Sequence, residues 1–422
     1  MTFEDRLEKI MTLAETLPRY RQDLMALAAK NLMFTYKDTA YEVDITVDRL
    51  NLFEHTEVFL SNRRPLGGPG SSVAVMLSYN GSAWLNTIIT SIYIVGNKVL
   101  AKFASRGNEL MALTEKMYEP IFGPDITFYR GDGRSFMRNA LEDPNISTVV
   151  VFGFDANILP YEEDFRRRGK KMVFEGPGVD PFIVLPEADF DKALGDLMTA
   201  KFSYSGQTCS APKRIFIHRS IYDEFLEELV VRVRNLKVGA PEDPHTDVSP
   251  VASQVAVDRI KAQLQDAVEK KARILLGGRI EGNLVYPTVV RDATDDMAGM
   301  QEEMFGPVAF TSTFESIPEV IARSQNHKYG LRAAVFGGAE AKQVARALRG
   351  ENYCHPVADY TFGKFGTVAV NAPRSETWIG SLVTKAVGGY GYSGWIWETV
   401  DGRFRLKQGP KLMSLETSIP GD

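Results

Sequence analysis

The segment Ser205-Gly206-Gln207-Thr208-Cys209-Ser210-Ala211-Pro212 sets a thiol in a turn rich in glycine, serine and threonine, just ahead of the apolar run 214–217. A cysteine so placed is on display, and its thiolate is a nucleophile; a neighbouring cation or helix N-terminus would lower its ordinary pKa of ~8.5. Taken alone, Cys209 reads more readily as a small structural hydrophobe, because free cysteine is commonly buried. Its company is carboxylate. Glu175 ends the apolar run 172–174, thirty-four positions upstream, and Gly176-Pro177-Gly178 follows it. In open parallel sheets, sites form at the carboxyl ends of strands. A carboxyl desolvated there has a raised pKa and can serve as a general base near neutrality. A second acidic turn, Glu302-Glu303-Met304-Phe305-Gly306-Pro307, precedes the run 308–314.

Other chemistries lack their residues. No G-x-x-x-x-G-K-S/T loop occurs, and Gly131-Asp132-Gly133 opens like a dinucleotide fingerprint but meets Phe136 where the third glycine belongs. His55, His218, His245, His327 and His355 never take metal-ligand spacing, so no metal is expected. With Cys209 and Cys354 the only cysteines, neither a disulfide framework nor a structural zinc site can be built. The basic run 166–171 reads as a solvated helix end. A net charge of −5 argues against a nucleic-acid binder, which would carry a basic excess. Without an 18-residue apolar run or a basic-then-apolar leader pattern, a soluble cytoplasmic protein with no membrane partner is expected.

The elements that must hold these residues follow from periodicity. Residues 3–32 read as two amphipathic helices, the second beginning after Pro18. From residue 71, β-branched runs at 73–77, 99–101, 126–129, 148–152, 172–174 and 182–185 alternate with helical stretches. That alternation implies crossover units and a mostly parallel sheet. A second series follows residue 200, with strands at 214–217, 272–276, 308–314, 333–336 and 367–370 and a helix over 220–235. The expected fold is α/β with two doubly wound domains. At 422 residues the chain is long enough for both cores without staples.

Gly206-Gln207-Thr208-Cys209, Glu303-Met304-Phe305-Gly306-Pro307-Val308 and Glu175 together resemble the aldehyde dehydrogenase superfamily, which uses the same 34-residue gap from glutamate to cysteine. Asn80 after an apolar strand, Gly96-Asn97 followed by Lys102, Tyr286-Pro287-Thr288, Tyr329-Gly330-Leu331, Gly388-Gly389-Tyr390 and Ser393-Gly394 extend the resemblance over about residues 1–415. The resemblance implies a Rossmann-like cofactor domain from 1–58 and 71–174, and an α/β catalytic domain from 175–400. It further implies oligomerisation segments at 59–70 and 401–422, and a homodimer. Cys209 would be the nucleophile, Asn80 the oxyanion donor and Glu175 the base that activates water. Glu303 and Phe305 would hold the nicotinamide end, Lys102 the adenosine ribose, and Gly153 would stand in the phosphate-side loop. The substrate would be an aldehyde, oxidised to an acid.

The sequence departs from that family in places. Asn80 sits in Ser78-Tyr79-Asn80-Gly81-Ser82 without the usual prolines and tryptophan, and the loop from Gly153 lacks its second glycine. The usual carboxylate three residues after Lys102 is Ser105, with Arg106 beside it, which favours NADP over NAD, with NAD second. A coenzyme A-acylating relative is the alternative, opposed by Glu175, and a non-catalytic dinucleotide-binding relative is the third reading. Thr208 and Ser210 flank the nucleophile; Trp84, Tyr204 and Trp378 are candidate walls of a substrate tunnel, and Arg374 and Glu376 candidates for its mouth.

Overall fold

The computed structural model describes residues 1–59, 65–66, 68, 70–349, 365–373 and 388–409; Cys354, Arg374, Glu376 and Trp378 lie outside them, as does most of 59–70 and all of 410–422. The first sheet contains β1 (Ser72–Met76), β2 (Lys98–Lys102), β3 (Ile126–Phe128), β4 (Ile146–Phe152) and β5 (Lys171–Glu175). They pair in parallel in the order β3-β2-β1-β4-β5. Val73, Ala74 and Val75 of β1 are all buried, the continuous apolar run that a strand covered on both faces requires. Ten consecutive buried residues form the helix Leu85–Ile94, which runs from the loop after β1 through the middle of this domain.

The second sheet takes β6 (Asp180–Val184), β7 (Pro212–His218) and β8 (Arg273–Leu276). After a small hairpin of β9 (Ile280–Glu281) and β10 (Leu284–Val285) come β11 (Thr288–Arg291) and β12 (Val308–Phe314). The short β13 (Tyr329–Gly330) leads into β14 (Arg332–Phe336), and β15 (Thr367–Val370) completes the set. Their order is β15-β14-β6-β7-β12-β11-β8, parallel except for β8. The two doubly wound domains expected from the sequence are present.

Several expectations need correction. Pro18 lies in the 3-10 turn Leu17–Tyr20, which joins the helices Phe3–Thr16 and Arg21–Leu32 rather than opening the second. A third helix, Tyr36–Asn51, capped by the Thr35 hydroxyl, completes the N-terminal cluster. The boundary that put all of 175–400 in the catalytic domain fails at 394–400, and 403–408 extends the same sheet. After β16 (Tyr390–Gly391), which pairs with β13, the strands β17 (Gly394–Val400) and β18 (Arg403–Gln408) return to the first sheet, antiparallel on β5. The cause is aromatic. Trp395 and Trp397 alternate onto one face of β17, where Trp395 stacks 4.1 Å from Phe174 and Trp397 lies 5.8 Å from Phe165. Asp401 and Gly402, both at positive φ (50° and 73°), close the hairpin as the sequence Asp-Gly allows.

The basic run 166–171 is a solvated helix end only in its first half. Arg166 and Arg167 end the helix Glu162–Arg168 exposed, paired with Glu162, Glu163 and Asp164, whereas the half-buried Lys170 donates to the Ala140 and Asp143 carbonyls and Lys171 opens β5. Asp132, in the imperfect glycine fingerprint, caps the helix Gly133–Glu142 by accepting from the Ser135 N–H at 2.7 Å, which offers a phosphate only repulsion. Among the described residues, no helix is long and apolar enough to cross a membrane, and no cluster of metal-ligating side chains occurs.

Candidate active site

The first sheet supplies residues from its carboxyl edge: Asn80 in the loop beyond β1, Lys102 at the end of β2, Gly153 just beyond β4 and Glu175 as the last residue of β5. The second sheet supplies them from its amino edge. Cys209 stands three residues before β7, Glu303 and Phe305 stand before β12, and Tyr329 before β14, on strands that neighbour β6 or one another. The expectation that the site collects at carboxyl ends therefore holds for one sheet and reverses for the other. The chain crosses between the two edges in four residues, from Glu175 to Asp180.

Side chains close that junction. The Gly178 N–H donates to Glu303 Oε1 at 3.3 Å, and the Phe305 ring lies 6.0 Å from Tyr79 and 6.4 Å from Phe154, the neighbour of Gly153. Two glycines are required by close approach. A Cβ on Gly178 would come 2.6 Å from the Cys209 carbonyl oxygen, and one on Gly206, at φ 71°, would collide with the Gly306 carbonyl. The Cys209 loop is pinned from below. Gln207 accepts the Ala252 N–H at 2.8 Å and donates to the Tyr204 carbonyl at 3.1 Å, while the Ser205 hydroxyl donates to the Ser249 carbonyl at 2.9 Å.

Cys209 is half-buried, and its thiol is pushed up to about 12, first by burial, then by the charges of Glu175 and Glu303. The buried Lys213 opposes this but is outweighed, its amine donating to the Thr208 and Cys209 carbonyls at 3.0 and 2.7 Å. Lys213 is thus a cation beside the thiol that does not prevail, because two carboxylates share the site. Burial raises the Glu303 carboxyl to about 7, against the opposing pull of Lys213 and the Gly178 N–H. The Ser78 hydroxyl donates to Asn80 Oδ1, which engages the acceptor end of that amide and not its donor end.

Lys102 is buried, with its amine on the Phe103 carbonyl and 3.5 Å from Asn108 Oδ1; burial lowers its pKa, partly offset by Asp132. Ser105 and Arg106 are exposed in the turn that opens the helix Asn108–Phe122. A Cβ on Gly153 would meet nothing within 4 Å, so that glycine answers to no packing demand of the protein and leaves room above the end of β4. Together with the Phe305 ring, these residues suit a dinucleotide laid along the carboxyl edge at the switch between β1 and β4. The phosphate side is weakly built, since the helix after Gly153, Asp155–Ile158, is one turn long and begins with an acid.

A cavity of about 590 Å³ opens beside the Cys209 turn, lined by Thr208 and Ser210 with Ser203, Tyr204, Lys37 and Arg332. Tyr204 lines this cavity, whereas Trp84 packs against the core of the first domain over Gly81. Tyr79, Phe154 and Lys213 carry no local signal of a place at the site, and neither do Asp38 and Glu42, two acids four residues apart on the buried face of the third helix.

A family model described as the aldehyde dehydrogenase family matches residues 1–395. Over 212 residues the chain is 37% identical to a succinate-semialdehyde dehydrogenase (NADP(+)) of Mycobacterium avium, an alignment covering 50% of this chain and 45% of that protein. It is 40% identical over 167 residues to a sulfoacetaldehyde dehydrogenase of Neptuniibacter caesariensis, covering 40% of this chain and 37% of the other. The matched part is thus less than half the length of each of these two relatives. Among solved structures, an aldehyde dehydrogenase from Brucella melitensis biovar abortus 2308 has the same fold, with a TM-score of 0.83 at 22% identity over 99% of this chain and 84% of that one. With a family model spanning nearly the whole chain, and with Cys209, Glu175 and Glu303 drawn to one junction between two doubly wound sheets, this chain belongs to the aldehyde dehydrogenase family.

Proposed function

We propose that this chain oxidises an aldehyde to a carboxylic acid with hydride transfer to NADP+ or NAD+. The observation that carries the proposal is Cys209 lying within the electrostatic reach of both Glu175 and Glu303 at the edge where the sheets meet. A thiol held up to about 12 needs a base to become a nucleophile, and these two carboxylates are its neighbours. Cys209 Sγ bonds to the aldehyde carbon as its proton passes to a carboxylate, and the oxygen becomes an oxyanion. The Asn80 amide and the Cys209 N–H hold that oxyanion. A nicotinamide held at this edge would accept hydride from that carbon; as the hydride leaves, the oxyanion re-forms the C=O bond and Cys209 is left as a thioester. Glu175 takes a proton from water, and the hydroxide adds to the thioester carbon. The C–S bond then breaks to release the acid and the thiolate.

Phe305 and Glu303 would hold the nicotinamide end, and Lys102, Ser105 and Arg106 the adenosine end. NADP is the favoured cofactor: Ser105 and Arg106 are exposed, neither is an acid, and a 2′-phosphate accepts charge-assisted bonds from such a pair. The NADP(+) in the name of the Mycobacterium avium relative supports the choice. The test is reduced-cofactor absorbance with a panel of aldehydes headed by succinate semialdehyde and sulfoacetaldehyde, run with each cofactor. Acid product without coenzyme A is expected, with a higher kcat/KM for NADP that shifts toward NAD in Ser105→Glu. Strict coenzyme A dependence with an acyl-thioester product would replace the hydrolytic reading by the acylating one.

The proposal includes a cytoplasmic setting and a homodimer. Support for the dimer is β18, which closes the first sheet as an outer strand with Leu406 52% exposed. Light scattering at micromolar concentration should give twice the chain mass; a monomer would remove this part of the reading.

A further inference from the structure

The loops carrying Cys209 and Asn80 belong to different domains, yet both are tied to one turn of one helix. Asp38 and Glu42 lie four residues apart in Tyr36–Asn51, so they project from the same face, and both are buried. Asp38 Oδ2 accepts the Tyr204 N–H at 3.0 Å and the Thr35 hydroxyl at 2.8 Å. Tyr204 and Ser205 are held in left-handed backbone, at φ 54° and 53°, immediately upstream of the glycine that brings the nucleophile's loop onto Gly306. Two consecutive non-glycine residues in that region persist only when surrounding contacts over-determine them, and the Asp38 bond is one such contact. Glu42 Oε2 works on the other loop. It accepts the Ser82 N–H at 2.9 Å, the Ser82 hydroxyl and the Trp84 N–H at 3.4 Å, on residues just after Asn80.

We propose that Asp38 and Glu42 are positioning residues, a two-carboxylate brace that fixes the oxyanion-side loop of the first domain against the nucleophile's loop of the second. Bonds from backbone N–H groups to a carboxylate are charge-assisted, and they are directional where apolar packing is not. Apolar side chains at 38 and 42 would fill the same space without holding either loop at a set height. Burial raises both carboxyls, Asp38 to about 6 and Glu42 to about 7, a cost that apolar residues would avoid. The charges bearing on the pair are Asp247 on Asp38, Asp38 itself on Glu42, and Arg49, from the same helix, which interacts with Glu42. Mispositioning of reacting groups by about 1 Å can cost on the order of 10²-fold in rate, so a brace of this kind acts on chemistry without touching substrate.

The kinetic half of the inference rests on the aldehyde-oxidising reading; the other half does not. Asp38→Ala, Asp38→Asn, Glu42→Ala and Glu42→Gln would be made in the full chain, with near-ultraviolet circular dichroism as the check on folding. The first readout is alkylation of Cys209 by iodoacetamide, which needs no aldehyde. Asp38→Ala should change that rate several-fold, while Glu42→Ala leaves it near wild type. The second readout is the single-turnover rate of cofactor reduction, which Glu42→Ala should slow by about tenfold or more with little change in aldehyde KM. Glu42→Gln, which keeps one acceptor oxygen, should recover part of it. If the alanine variants do not fold, Asp38→Asn and Glu42→Gln should show the same two effects in smaller measure. Wild-type rates in both readouts for folded variants overturn the brace. Should the wild-type chain reduce no cofactor with any aldehyde, the proposed activity fails, and an unchanged alkylation rate in the folded Asp38 variant still decides against the brace.

Discussion

Cys209→Ala should lower aldehyde-dependent cofactor reduction by about 10⁴-fold or more, the scale of losing a covalent nucleophile, while cofactor binding stays intact. Cys354→Ala should be nearly silent. The comparison is made on purified protein with one good aldehyde, with cofactor binding followed separately by fluorescence quenching. Equal losses from the two changes, or none from either, would remove Cys209 from the mechanism. The thiol's environment adds a pH signature. Burial and the Glu175 and Glu303 charges push Cys209 up to about 12, so in cofactor-free protein the neutral thiol predominates through the physiological range. Its alkylation rate should climb with pH and show no plateau below pH 10. Glu303→Gln removes one of the opposing charges, lowers the thiol pKa and should speed alkylation at a fixed mildly alkaline pH. A plateau near ~8.5, the ordinary thiol value, would show that the carboxylates do not act on Cys209.

Glu175→Gln should turn a steady-state enzyme into a single-turnover one. Deacylation needs a base for water, whereas thioester formation can use the other neighbouring carboxylate, Glu303. Loss of a general base costs about 10²–10⁴-fold in the step it serves. Reduced cofactor should therefore appear as a burst equal to the enzyme concentration and then nearly stop. Acid quench with mass spectrometry should find the acyl group on Cys209. A wild-type steady state in Glu175→Gln would move the base elsewhere, with Glu303, raised to about 7, next in line. Loss of the burst as well would mean that Glu175 serves the first step.

What could be read from the chain alone was whatever lies within a few neighbouring residues. The alternation of β-branched runs with helical stretches is local, and it predicted both doubly wound sheets; the strand at 367–370 appears at the very bounds read for it. The turn around Cys209, the glutamate closing the run 172–174 and the acidic turn before 308 are local too, so the chemical types of the site and their order were legible. The hairpin of β17 and β18 was missed for a different reason. Its alternation and its Asp401-Gly402 turn are in the text, but a strand's address is not, and only packing on Phe174 and Phe165 assigns it to the first sheet.

Tertiary structure alone decided the rest, through forces that act over space rather than along the chain. Whether the thiol is raised or lowered depends on burial and on charges 34 and 94 positions away in sequence, which no local window contains. The orientation of the second sheet, with its amino edge at the site, follows from the four-residue crossing after Glu175 together with the parallel pairing of β6, β7 and β12. Asp38 and Glu42 show the difference most directly. In the sequence they are two acids on a helix, where solvent exposure is the ordinary fate of a carboxylate. In the fold they are buried acceptors for the backbone of Tyr204, Ser82 and Trp84, because folding brings the unpaired N–H groups of two distant loops to the same helical turn.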